Sequence, residues 1–171
     1  MMGVGERLVV VDYGGQYTHL IARRCRELGV YAEIVPQNTN LMTPSSMPIK
    51  GVILSGGPRT ATKEDLEGVF SDNMKLFRSE GIPVLGICFG HQLLALAVGG
   101  TVESGGNPEY GSIPITVSST DSILNDIENN QRVWMSHSDQ VVSLPAHTRV
   151  LATSKEGHIA AFEDTEQSII G

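Results

Sequence analysis

The sequence predicts a three-layer α/β fold: an open, mostly parallel sheet with helices on both faces and antiparallel additions in the C-terminal half. Three features carry this. Residues 7–11 (RLVVV), 51–54 (GVIL) and 83–87 (PVLGI) are short apolar runs without polar alternation, the pattern of strands covered on both faces. Helical patterns and glycine-rich turns separate them, as in strand-helix-strand units. After Gly99-Gly100 the texture changes to short strand-like runs divided by turn residues, which suits antiparallel pairing.

In order, residues 7–11 form a strand ending at the turn Asp12-Tyr13-Gly14-Gly15, which opens a helix over about residues 16–28. Tyr17, Leu20, Ile21, Cys25 and Leu28 make its apolar stripe and Gly29 its stop, with Cys25 packed in the core and His19 solvated. Residues 30–35 form a second strand, followed by a Pro- and Asn-containing connection. The third strand, 51–54, feeds Ser55-Gly56-Gly57-Pro58, and a helix over about 66–79 returns the chain to the strand at 83–87. Six further strands are expected at 101–103, 111–117, 132–135, 149–153, 159–163 and 168–170, as antiparallel additions beside the parallel core.

The fourth apolar run leads into Gly86-Ile87-Cys88-Phe89-Gly90 and then into a helical pattern carrying Leu93, Leu94, Ala97 and Val98. G-x-C-x-G has the form of a nucleophile elbow, in which flanking glycines let the chain turn so sharply that the central side chain projects from the sheet. A thiol there sits at a helix N-terminus, where unpaired N–H groups favour the thiolate. The competing reading is a small buried hydrophobe, the commonest state of a free cysteine. In parallel sheets functional groups gather at the C-terminal ends of strands, where both Gly56-Gly57 and Cys88 lie. Trp134-Met135-Ser136-His137-Ser138-Asp139 is a further polar cluster at a strand end, readable on its own as a capping turn.

With 171 residues, 12 basic against 19 acidic side chains and a net charge of -7, the chain suits one globular domain, residues 1–171, and carries no nucleic-acid footprint. No apolar run approaches the roughly 20 residues that span a bilayer, and no leader pattern opens the chain, so a cytoplasmic protein without membrane contact is expected. The two cysteines are expected as thiols, and no residue spacing suggests a metal site.

The motifs LSGGP, GICFGHQ and WMSHSD, in that order and spacing, resemble the class I (triad) glutamine amidotransferases, and the opening DYGGQYTHLIARRCRELGVYAEI resembles their GMP synthase branch. The likeness covers essentially the whole chain and implies the flavodoxin-like form of the predicted fold. It implies that Cys88 attacks the side-chain amide of glutamine to form a γ-glutamyl thioester, and that the backbone N–H groups of Gly57 and Phe89 bind the oxyanion. It places Gln92, one helical turn beyond Cys88, together with Ser136 and Asp139 around the amino-acid end of glutamine, with Asp139 facing the ammonium. His137 is read as a structural hydrogen-bonding residue, and His91 receives no catalytic role.

The resemblance further implies an ATP-pyrophosphatase partner, as domain or subunit, that uses the ammonia to aminate XMP to GMP. ATP and magnesium would belong to that partner, and no cofactor is expected in this domain. The family's base and orienting acid come as H-P-E, about four residues beyond where Ser168-Ile169-Ile170-Gly171 aligns. The chain is therefore expected to be a fragment, an engineered truncation or a natural short form, and a poor glutaminase as it stands. An amidotransferase of anthranilate or carbamoyl phosphate synthesis, and a non-catalytic glutamine-binding or regulatory module, are the alternatives.

Overall fold

In the computed structural model, described for residues 5–43, 45–105, 108–119 and 122–171, valines 9, 10 and 11 explain the architecture. All three are buried although successive strand residues point to opposite faces. Val9 and Val11 join a large apolar cluster with Met74, Phe77, Leu93 and Leu94, whereas Val10 joins a second cluster with Ala22, Ala32 and Ile53. A strand apolar on both faces needs a helical layer on each, and the chain supplies them.

The strands are β1 (Arg7–Asp12), β2 (Ala32–Pro36), β3 (Ile49–Leu54), β4 (Val84–Gly86), β5 (Thr101–Glu103), β6 (Glu109–Val117), β7 (Asn130–His137), β8 (Gln140–Ser143), β9 (Thr148–Ser154), β10 (Ile159–Asp164) and β11 (Ile169–Ile170). The helices are α1 (Thr18–Glu27), α2 (Val69–Ser79) and α3 (Phe89–Ala97), with a 3-10 turn at Lys63–Leu66 ahead of α2. Nine strands form one sheet in the order β2-β1-β3-β4-β11-β10-β9-β6-β7. The pairs β1·β2, β1·β3, β3·β4 and β4·β11 are parallel, and those from β11 to β7 are antiparallel. The chain thus has the expected mixed α/β fold, with α1 on one face and α2 and α3 on the other.

Several expectations are corrected. The last strand, expected among the antiparallel additions, runs parallel to β4 (Ile169 opposite Val84) and antiparallel to β10, so it joins the two halves of the sheet. β5 does not flank the parallel core but pairs with β8 in a separate two-stranded sheet, and β8 itself was hidden behind the polar 136–139 cluster. On α1 the buried face is Thr18 and Ala22, flanked by Ile21 and Cys25; Tyr17, Leu20 and Leu28 of the expected stripe are exposed. Small residues let α1 lie close on β1 and β2, and the bulky ones rotate outward. Cys25 packs against the second cluster, as expected. Among the described residues no helix is long and apolar enough to cross a membrane.

Candidate active site

The 86–90 turn is as tight as its sequence demands. Cys88 adopts φ 54° and ψ -106°, a left-handed conformation that costs a non-glycine residue energy and collects at functional sites. Its neighbours must be glycine. A Cβ on Gly86 would lie 2.4 Å from the Gly90 carbonyl oxygen, and one on Gly90 would lie 2.4 Å from the Leu54 carbonyl oxygen. Backbone bonds fix the turn onto β3: the Ile87 N–H donates to Leu54 O at 2.9 Å and the Gly90 N–H to Ser55 O at 3.1 Å. The outcome is a nucleophile-elbow geometry with an exposed Cys88.

A second glycine turn closes over the first. Ser55, fully buried at the end of β3, accepts a hydrogen bond from the Tyr13 N–H at 3.0 Å and donates to Gly56 O at 2.9 Å. A Cβ on Gly57 would lie 2.9 Å from Tyr13 O and 3.3 Å from the Phe89 ring, so only glycine lets this backbone approach the elbow. Phe89 is clamped from outside by Tyr13, with ring centroids 5.0 Å apart, and by the Arg59 guanidinium 4.9 Å above its ring. Arg59 is held in turn by a two-point pair with Asp65, at 2.5 and 2.7 Å, which keeps the Asp65 carboxyl below its ordinary pKa. Burial raises the Tyr13 hydroxyl pKa, so this ring stays neutral.

The thiol differs from expectation. Burial of its surroundings pushes the Cys88 pKa up, outweighing the backbone N–H groups of Phe89 and Gly57, which act on the sulfur in the thiolate's favour. These are the same two N–H groups that the resemblance assigns to the oxyanion.

Cys88 opens into a cavity of about 340 Å³ that is also lined by Gln92, Ser136, His137 and Asp139, so distant sequence motifs share one site. Gln92 is buried with both ends of its amide engaged by protein: Oε1 accepts from the Ala61 N–H at 3.1 Å and Nε2 donates to Asp139 O at 3.4 Å. Gln92 thereby braces the pocket between the 60–62 segment and Asp139. The Asp139 carboxylate accepts a hydrogen bond from the Thr60 hydroxyl. His91 lines the same cavity with its ring 5.3 Å from that of Phe162, and burial lowers its pKa to about 4, leaving it neutral at pH 7.

Sequence reasoning missed Glu109 and His158. Glu109, first residue of β6, is 3% exposed and lines the cavity. Its Oε2 lies 3.7 Å from His137 Nε2 and 3.3 Å from His158 Nδ1, while neither carboxylate oxygen has a hydrogen-bond partner. A glutamate two residues before a glycine inside a strand pattern gave no local signal; only the sheet pairing brings the three residues together. Thr60, ahead of the 3-10 turn, was equally invisible. Among the described residues no group of three or more His, Cys, Asp or Glu is placed to hold a metal ion.

Residues 9–171 match the model of the family "Glutamine amidotransferase class-I". The chain is 40% identical over 167 residues to the glutamine-hydrolysing GMP synthase of Lacticaseibacillus rhamnosus, covering 97% of this chain and 32% of that one. It is 43% identical over 164 residues to that of Campylobacter lari, covering 94% and 30%. It thus spans about a third of the length of the curated relatives it matches. Among solved structures, a candidate GMP synthase subunit of Thermoplasma acidophilum superposes with a TM-score of 0.84 at 31% identity, covering 96% of this chain and 81% of that one. With the family model matched over residues 9–171, the chain belongs to the class-I glutamine amidotransferase family.

Proposed function

We propose that this chain is the glutaminase component of a GMP synthase, releasing ammonia from glutamine for the amination of XMP by an ATP-pyrophosphatase domain or subunit. The observation that carries the reading is the elbow: a cysteine in a strained left-handed conformation at the start of α3, opening into the cavity that Gln92, Ser136 and Asp139 line. The thiolate of Cys88 attacks the γ-carboxamide carbon, and the oxyanion that forms is met by those preorganised donors. Collapse breaks the C–N bond, the nitrogen takes a proton and leaves as ammonia, and a γ-glutamyl thioester remains on Cys88. Water then opens the thioester, giving glutamate and the free thiol.

Asp139 and Ser136 supply the side of the cavity where the amino-acid end of glutamine lies, the carboxylate matching an ammonium in charge. Gln92 acts by bracing Asp139 and the 60–62 segment. A thiol whose pKa is raised needs a base, which typically contributes 10²- to 10⁴-fold. ATP and magnesium serve the partner's chemistry, and the setting is cytoplasmic.

The test uses the protein together with its synthetase domain or subunit. Cys88→Ala should lower glutamine-dependent GMP formation by about 10² or more while ammonia-dependent formation persists. Equal loss of both would refute the reading, as would glutamine hydrolysis stimulated by a chorismate- or carbamate-using partner and not by XMP.

A further inference from the structure

Five of the six buried side-chain polar atoms without a hydrogen bond among the described residues belong to groups lining the Cys88 cavity: His91 Nδ1, Glu109 Oε1 and Oε2, Gln140 Oε1 and His158 Nδ1. Glu109 is the extreme case. An ionisable group this buried is kept only when it is paired. Its nearest cationic candidates are two imidazoles on different strands, His137 at the end of β7 and His158 at the mouth of the β9–β10 hairpin, both facing Oε2. β6 and β7 pair with Glu109 opposite His137, so the carboxylate meets that ring from the strand next door.

His137 lies between Ser136 and Asp139, and this turn is held at two other points, Gln92 Nε2 on the Asp139 carbonyl and the Thr60 hydroxyl on its carboxylate. Both bonds pull on the Asp139 end. At the other end Ser136 and His137 are the last β7 residues paired with β6, opposite Tyr110 and Glu109, and where the strand leaves that ladder the His137 ring touches Met135 Sδ at 3.3 Å and lies 3.7 Å from Glu109. We propose that Glu109 is a positioning residue for glutamine recognition: through His137 it fixes the 136–139 turn so that Ser136 and Asp139 face the substrate together. This rests on the reading of that turn as the wall for the amino-acid end of glutamine. Glu109 acts on the pocket and not on the thiol, whose influences are desolvation and the N–H groups of Phe89 and Gly57.

The experiment compares two reagents on Cys88 in the full-length protein, a chloroketone analogue of glutamine and iodoacetamide, with labelling rates followed by mass spectrometry. Glu109→Gln should slow the chloroketone about tenfold, the scale of one charge-assisted contact, and leave iodoacetamide within about twofold. His137→Gln should do the same, and the double variant should add less than about twofold, because the two residues act as a unit. His137 is half-buried, so its variant carries the test if Glu109→Gln fails to fold. Unchanged chloroketone labelling in either variant, equal slowing of both reagents, or independent multiplication of the two effects overturns the proposal. A wild-type protein with no preference for the chloroketone overturns the glutamine reading and this proposal with it; preference kept in Glu109→Gln overturns this proposal alone.

Discussion

Asp139 carries two loads, and they can be separated. Its carboxylate accepts the Thr60 hydroxyl, a contact that an amide oxygen also makes, while only the carboxylate offers charge to an ammonium. Asp139→Asn should therefore keep the turn and weaken glutamine binding by about 1 to 3 kcal/mol, the scale of a lost charge-assisted contact. A rise in KM for glutamine with unchanged ammonia-dependent synthesis in the full-length protein is the expected outcome; equal loss of both would make Asp139 structural. Much at this scale was legible: G-x-C-x-G announces a turn that no Cβ could enter at Gly86 or Gly90, and the backbone obeys. The state of the thiol was not, because helix-end electrostatics is local and readable whereas desolvation depends on what packs around Cys88.

At the level of elements, α3 joins the elbow to the core, and His91 in its first turn has a measurable consequence. Its folded pKa, lowered by burial to about 4, lies below the ordinary 6.5, so the unfolded chain binds a proton at higher pH than the folded one. The stability tied to this neutral ring is complete above about pH 6.5 and lost as pH falls toward 4. Urea midpoints for the wild type should drop more between pH 7 and pH 5 than those of His91→Leu; parallel curves would show that the ring is solvated. Strand identity was readable where both faces are apolar, as in Val9-Val10-Val11, since pattern and burial then say the same thing. The face of α1 was misread because hydrophobicity alone favoured Tyr17, Leu20 and Leu28, whereas close approach to β1 and β2 selected Thr18 and Ala22. β8 escaped because it directly follows the polar turn and shares its polar texture at both ends, Gln140 and Ser143.

For the whole molecule, the sheet order decides what the site can be. β3 and β4 deliver Gly57 and Cys88 side by side from neighbouring parallel strands, while the antiparallel half returns β6, β7 and β10 so that Ser136, Asp139, Glu109 and His158 meet the same cavity. No local pattern encodes that meeting: the motifs were visible singly, the resemblance placed several in one pocket, and only the register of β6 on β7 reveals Glu109 beneath His137. The central claim is that this assembly makes Cys88 a nucleophile toward glutamine. The most direct measurement is acid quenching of the full-length protein during glutamine turnover, followed by peptide mapping of the acyl group. A γ-glutamyl thioester on the peptide containing Cys88, and none on that containing Cys25, is the result expected; glutamine hydrolysis with no adduct at Cys88, or an adduct at Cys25, would contradict it.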